Sequence, residues 1–239
     1  MNLAIDIGNT LVKAAVVDTG QIVARYSTEQ LADLPLEEVA AQHRIERSIL
    51  CSTRSAASDD AAFVRSVVGH CLLFDATLAT PIEVKYAREM LGADRLAAAV
   101  GAYATYGGRE LMVVDFGTAI TIDFISADGI FEGGYISAGL STRLRALHEF
   151  TARLPLCTPS QCSDRIACTT HEAIASGAIN GIRYEIEGYI SQRKKKKCEL
   201  SVIFSGGDSI FFDKQIKNAI FADRDILFKG LSTILDYNA

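Results

Sequence analysis

Residues 3–24 read LAIDIGNTLVKAAVVDTGQIVA, and residues 112–133 read MVVDFGTAITIDFISADGIFEG. Offset by 109 residues, the two come into register: Asp6 falls on Asp115, Gly8 on Gly117 and Gly20 on Gly129. Each copy holds an apolar strand ending in Asp-x-Gly, a second apolar strand, a tight turn containing Gly, and a third strand. The chain thus carries two β-meanders, each opening on a carboxylate at a sharp bend.

Outward from these repeats the pattern alternates. Helical periodicity fits 36–47, 59–69, 94–106, 140–153 and 170–193, and apolar strand-like runs fit 48–52, 71–74, 200–205 and 225–228. A further helix is expected after Asp208, with Ile210, Phe211 and Ile216 on one side. Strands alternating with helices indicate an α/β class, here in two similar halves, 1–107 and 108–239. Halves joined near residues 106–111 predict a central cleft, where ligands of such folds tend to sit. The basic run 193–197 reads as a solvated loop between a helix and a strand.

Composition narrows the function. The 239 residues are 49% hydrophobic and 22% charged, enough for a packed core. Net charge is −5 and the pI about 5.4, which disfavours a general binder of nucleic acid or anionic membrane. The longest apolar stretch, 96–106, is about half the ~20 residues a membrane span needs. The opening Met-Asn-Leu-Ala-Ile-Asp lacks the basic start of a signal peptide. The six cysteines form no C-x-x-C pair, and Cys157, Cys162 and Cys168 lack a partner at zinc spacing. Reduced thiols of a cytoplasmic protein are the expectation. The chain has no Gly-Lys dipeptide, no G-x-G, no H-E-x-x-H and no G-x-S-x-G, so Walker A, Rossmann and protein-kinase glycine loops are excluded.

A phosphate would then need another device, and the repeated turn offers one. Gly8 bares the amides around it, Asn9 and Thr10 add short donors, and Lys13 adds a positive charge, together a concave anion site. Asp6 repels a phosphate directly, so its use there would be to hold a cation such as Mg²⁺. The alternative is an ordinary hairpin whose Asp caps the turn. Asp115 and Thr118 repeat the arrangement without the lysine. Ser205-Gly206-Gly207-Asp208 closes an apolar strand before a helix, where a Gly pair lets a flat group such as adenine lie on the backbone.

The order DIGNT, Gly92-Ala93-Asp94-Arg95, DFGTA, Gly133-Gly134, Thr170-His-Glu-Ala-Ile and SGGD resembles the acetate kinase/sugar kinase/Hsp70/actin superfamily, and within it type III pantothenate kinase. The resemblance covers nearly the whole chain. It implies a duplicated actin-like, ribonuclease H-like fold and ATP-dependent phosphorylation of pantothenate, the first step of coenzyme A synthesis. By position it implies that Asp6 to Lys13, Thr118, Gly206 and Gly207 bind ATP, with Asp6 on the Mg²⁺ side. Asp115 would bind a monovalent cation, K⁺ or NH₄⁺, while Tyr86, Gly92, Ala93, Asp94, Arg95 and Thr170 would bind pantothenate. A homodimer is also implied, with helices 140–153 and 170–193 available for its interface. The residues agree at one point: Arg95 can fork onto carboxylate or carbonyl oxygens, and Asp94 can accept a hydroxyl proton. Otherwise that pair is a helix cap followed by a surface arginine. Two departures stand out: Ala87-Arg88-Glu89 where the family often has Asn-Pro, and Ala138 where it commonly has Pro. Another superfamily kinase or phosphatase, or a non-catalytic accessory factor, are the competing expectations.

Overall fold

The computed structural model describes residues 1–54, 56–163, 165–196, 199–213, 215–216 and 221–239. They form two compact units, one made of Met1–Gly108, Ile125–Gly133 and Asp225–Ala239, the other of Arg109–Phe124 and Gly134–Arg224. The units are not the contiguous runs 1–107 and 108–239. A cut does fall at Gly108, but two later segments return to the first unit.

The first unit begins with β1 (Asn2–Ile7), β2 (Val12–Asp18), β3 (Gln21–Thr28), α1 (Leu36–His43), β4 (Arg47–Ser52), α2 (Ala57–Val68), β5 (Cys71–Phe74), β6 (Glu83–Val84) and α3 (Ala93–Tyr106). Its main sheet runs β3-β2-β1-β4-β5, with β1 antiparallel to β2 and parallel to β4. Leu3, Ile5 and Ile7 of β1 join Leu36, Val39, Ala61 and Val64 in one apolar cluster against α1 and α2. Side chains alternate along a strand, so Asn2, Ala4 and Asp6 share the other face. Thr19 at φ 47° and Gly20 at φ 79° make the two-residue β2–β3 turn, whose left-handed backbone matches the twist of the strands. Helix α1 ends at His43, short of the expected 47, because Arg44 turns left-handed at φ 49° and β4 begins at Arg47.

The second meander is β7 (Glu110–Phe116), β8 (Ala119–Ile125) and β9 (Ile130–Ala138). Gly129 at φ 78° sits where Gly20 sits in the first copy. The opening of β9 pairs with β6 in the first unit. The second unit continues with α4 (Leu140–Glu149), α5 (Thr170–Lys196), β10 (Leu200–Ser205), α6 (Ser209–Asp213) and β11 (Phe221–Ala222), its strands ordered β11-β10-β7-β8-β9. At its core Phe116 meets Phe204 edge-on and stacks on Phe212, both at 4.9 Å between ring centroids.

Three expectations are corrected. The run Arg193 to Lys196 is the last turn of α5, not a loop, and Lys197 lies outside the described residues. Arg193 bonds Glu110 at 2.6 Å and lies over Phe124, and cations suit a helix C-terminus. In α6 Phe212 is buried, with Ile216 beyond the helix, while Ile210 and Phe211 face solvent. Residues 225–228 are no strand: Asp225 precedes a helix, α7 (Ile226–Tyr237).

Helix α7 belongs to the first unit and crosses α3 backbone to backbone. A Cβ on Gly101 would lie 1.9 Å from the Ile226 carbonyl oxygen, and one on Gly230 would lie 1.8 Å from that of Ala97. Asn2 Nδ2 donates to Ser232 Oγ and Asp236 Oδ1, both at 3.0 Å, so α7 lies on the Asp6 face of β1. Arg47 and Arg25 pair with Asp236 and Asp225. No helix of the described residues is long and apolar enough to cross a membrane.

Candidate active site

Asp6, one residue before the end of β1, lies on the α7 face and is half-buried. The Gly8 amide donates to the Leu11 carbonyl at 3.1 Å, closing a turn on whose outside Asn9 and Thr10 are exposed. A Cβ on Gly8 would crowd the Leu11 oxygen at 3.3 Å. Lys13 stands directly across the β1–β2 ladder from Asp6 and so shares its face. On the other side, Cys51 is Asp6's register partner in β4, and its thiol donates to Asp6 Oδ1 at 3.6 Å. Burial pushes the Cys51 thiol pKa well up, and the nearby Asp6 and Asp94 carboxylates add to the rise. The exit of β4 also reaches this turn: Thr53 N donates to the Ile7 carbonyl at 3.1 Å, and Arg54 Nε to the Gly8 carbonyl at 3.0 Å.

At the start of α3, Asp94 Oδ1 accepts the Arg95 amide at 2.8 Å, satisfying one of the free donors of the first turn. A Cβ on Gly92 would lie 2.5 Å from that same Oδ1. Glycine here leaves room for the carboxylate. Arg95 is no surface residue. It is 6% exposed, with its guanidinium 5.6 Å from the Tyr86 ring centroid and 6.0 Å from that of Phe131. Aromatic faces hold a desolvated cation well. Tyr86 packs edge-on to Phe131 and over Gly133, whose φ of 110° suits glycine. The loop without Asn-Pro is fastened instead by Arg88, which donates to the carbonyls of Ala76 and Leu78 at 2.9 and 2.8 Å.

In the second unit, Asp115 is half-buried at the end of β7, beside Ser205 of β10 in the parallel ladder. The Gly117 amide donates to the Ala119 carbonyl at 3.1 Å, and Thr118 is exposed between them. The Thr118 carbonyl accepts from Gly139 N at 3.0 Å and Thr142 Oγ1 at 2.7 Å. Arg143 Nε holds the Ala138 carbonyl at 2.7 Å, so hydrogen bonds pin the bend that lacks proline. Gly206, at φ 88°, presses on β7: a Cβ there would lie 2.5 Å from Phe116 backbone atoms. The Asp208 amide donates to the Phe116 carbonyl at 3.2 Å, and burial pushes the Asp208 carboxyl pKa up. Asp115, Thr118, Gly206 and Gly207 thus gather at the ends of β7 and β10. Thr170 is exposed at the start of α5, and among the described residues no hydrogen bond of these two turns reaches it.

Cys51 and Arg54 were not among the sequence candidates. Their signal lies in the β1–β4 register, which no local pattern displays. His148 is exposed with Nδ1 on the Leu154 carbonyl, and His171 is exposed on α5.

A family model described as type III pantothenate kinase matches residues 2–192. The chain is 40% identical over 240 residues to the type III pantothenate kinase of Porphyromonas gingivalis strain W83, across 99% of this chain and 98% of that protein. The same enzyme of Bacteroides fragilis strain YCH46 is also 40% identical, across 100% and 98%. Among solved structures, a Campylobacter jejuni protein assigned to the Baf family matches with a TM-score of 0.67 at 24% identity, over 99% of this chain and 98% of that one. The polyphosphate/ATP-glucomannokinase of Arthrobacter sp. strain KM matches at 0.50 and 16%, over the same shares. At such identities these structures speak to fold, which is the duplicated actin-like α/β fold of the sugar kinases.

Proposed function

This chain belongs to the type III pantothenate kinase family, and from that premise we propose that it transfers the γ-phosphoryl group of ATP to the terminal hydroxyl of pantothenate, the first step of coenzyme A biosynthesis. The observation that carries the reading is the family match over residues 2–192, supported by Asp6 beside the glycine turn, where its Oδ1 accepts the Cys51 thiol, and by Asp94 in the first turn of α3. A candidate base and a phosphate turn are what a kinase needs.

In this reading Asp94 orients the pantothenate hydroxyl and accepts its proton as the oxygen attacks phosphorus; in phosphoryl transfer such a group works mainly by positioning. Arg95, held by Tyr86 and Phe131, turns its fork to the carboxylate or amide oxygen of pantothenate. Gly92 and Ala93 place that pair, and Tyr86 and Thr170 complete the substrate contacts. Gly8 shapes the turn, Asn9, Thr10 and Lys13 take the phosphates, and Thr118, Gly206 and Gly207 contact the rest of ATP.

The residues fit Mg²⁺. Among the described residues no three His, Cys, Asp or Glu side chains are grouped to hold a metal. Mg²⁺ in kinases takes one or two carboxylates, with phosphates and waters supplying the rest, so Asp6 suffices on the protein side. When bound, the ion neutralises charge developing on the phosphate oxygens. We assign a monovalent cation, K⁺ or NH₄⁺, to Asp115, where glycine at 117 keeps space 3.4 Å from Oδ2.

A cytoplasmic homodimer belongs to the same reading. Free cysteines support the first part, and exposed Tyr135, Ile136 and Tyr184 near α5 support the second. A solution mass near twice 25.8 kDa is expected from light scattering. The deciding experiment is coupled ADP release: turnover with pantothenate, and none with acetate, glycerol or glucose. Absence of turnover with pantothenate would set the activity aside.

A further inference from the structure

The exit of β4 delivers a cation that the mechanism above leaves unused. Thr53 N on the Ile7 carbonyl carries the β1–β4 ladder one residue past the strand. Ser52 Oγ then accepts the Arg54 amide at 3.1 Å, and Arg54 Nε donates to the Gly8 carbonyl at 3.0 Å. A guanidinium carries five N–H donors in a rigid planar fork, and Nε is only one of them. The two terminal nitrogens make no hydrogen bond or ion pair among the described residues, and the side chain is half-buried. Its anchor is the glycine of the Gly8-Asn9-Thr10 turn, whose Asn9 and Thr10 are exposed and whose own nearby cation is a lysine on the next strand.

A planar cation held at one corner by that turn, with its two-nitrogen edge unspent, has the shape for bidentate recognition of phosphate. The anchor is a neutral carbonyl, and the guanidinium makes no ion pair among the described residues. We propose that Arg54 is a phosphate-contacting residue of the nucleotide site, reading the polyphosphate and not the nucleoside. The inference rests on the assignment of residues 6–13 to ATP phosphates.

The test is calorimetric titration of ATP and of adenosine into the full chain, as wild type, Arg54→Gln and Arg54→Lys, with thermal melts alongside. A charge-assisted bond to phosphate implies that Arg54→Gln weakens ATP binding about ten- to hundredfold while adenosine changes less than about threefold. Arg54→Lys keeps the charge but loses the fork, so it recovers part of the ATP affinity and leaves adenosine unchanged. If ATP and adenosine weaken together, Arg54 only props the turn through Gly8 and the proposal falls; unchanged ATP affinity in both variants also overturns it. Should Arg54→Gln fail to fold, Arg54→Lys decides alone: ATP about fivefold weaker with adenosine unchanged supports the contact, and wild-type ATP affinity refutes it. Wild-type turnover of pantothenate is measured separately, so failure of the enzymatic reading and failure of the Arg54 contact remain distinguishable.

Discussion

Replacing Asp94 by Asn separates chemistry from structure, because the interaction that holds Asp94 in place survives the change. Its Oδ1 accepts the Arg95 amide at 2.8 Å, and an asparagine Oδ1 accepts the same bond. What is lost to stability is one negative charge in the first turn of α3, worth about 0.3–1 kcal/mol against the helix dipole. In a chain of this size that lowers Tm by about 4 °C or less. What is lost to catalysis is the proton acceptor. General-base removal costs about 10²–10⁴ in rate, or about 3–5 kcal/mol at 1.36 kcal/mol per decade. Asp94→Asn is therefore expected to lower kcat at least a hundredfold in an ADP-release assay, while calorimetry shows ATP affinity within about threefold of wild type. A kcat within threefold of wild type would refute the base. A large loss of Tm alongside the loss of rate would mean that Asp94 serves mainly the helix.

Gly92→Ala places a methyl 2.5 Å from Asp94 Oδ1, so the carboxylate swings aside; kcat should fall about tenfold or more with Tm nearly unchanged, and normal kinetics would contradict this. Gly101→Ala gains about 1 kcal/mol of helix propensity but drives a methyl into the Ile226 carbonyl, so a net loss of about 2 kcal/mol and a Tm drop of roughly 4–8 °C are expected by calorimetry. At pH 8 iodoacetamide should label exposed Cys168 while Cys51 is spared until denaturant is added, as mass spectrometry would show. The folded-state pKa of Cys51 is raised, as is that of Cys71, so above about pH 8.5 the unfolded chain loses these protons first and stability declines as pH rises; denaturation at pH 7.5 and 9.5 should show the decline, shallower in Cys51→Ala. Exchange of K⁺ for Na⁺ should depress the rate if Asp115 binds a monovalent cation, and an unchanged rate removes that role.

The parts of the fold legible in advance were those with a strong local period. The offset repeat located both meanders, and 71–74 and 200–205 match β5 and β10 residue for residue. The miss at 225–228 has a physical cause. A short apolar run reads alike as a buried strand and as one turn of a buried helix, and only the continuation through Gly230, Leu231 and Ile234 shows the helical spacing. In α6 the apolar neighbours Ile210 and Phe211 outweighed Phe212 in the pattern, although only Phe212 stacks on Phe116. At the site, residues on the turns themselves were readable. Cys51 and Arg54 were not, because they reach Asp6 and Gly8 through strand pairing across more than forty positions of chain.

The return of the C-terminal helix to the first unit bears on how the polypeptide matures during synthesis. A ribosome releases β1 to α3 early, yet the groove of α3 at Gly101 stays uncovered until Gly230 has been translated. Domains generally mature as their segments emerge, so the second unit has all its residues in hand before the first can close. A stop before Gly230 would leave the Ala-rich flank of the helix bearing Asp94 uncovered, and such a product belongs to proteases and chaperones rather than to metabolism.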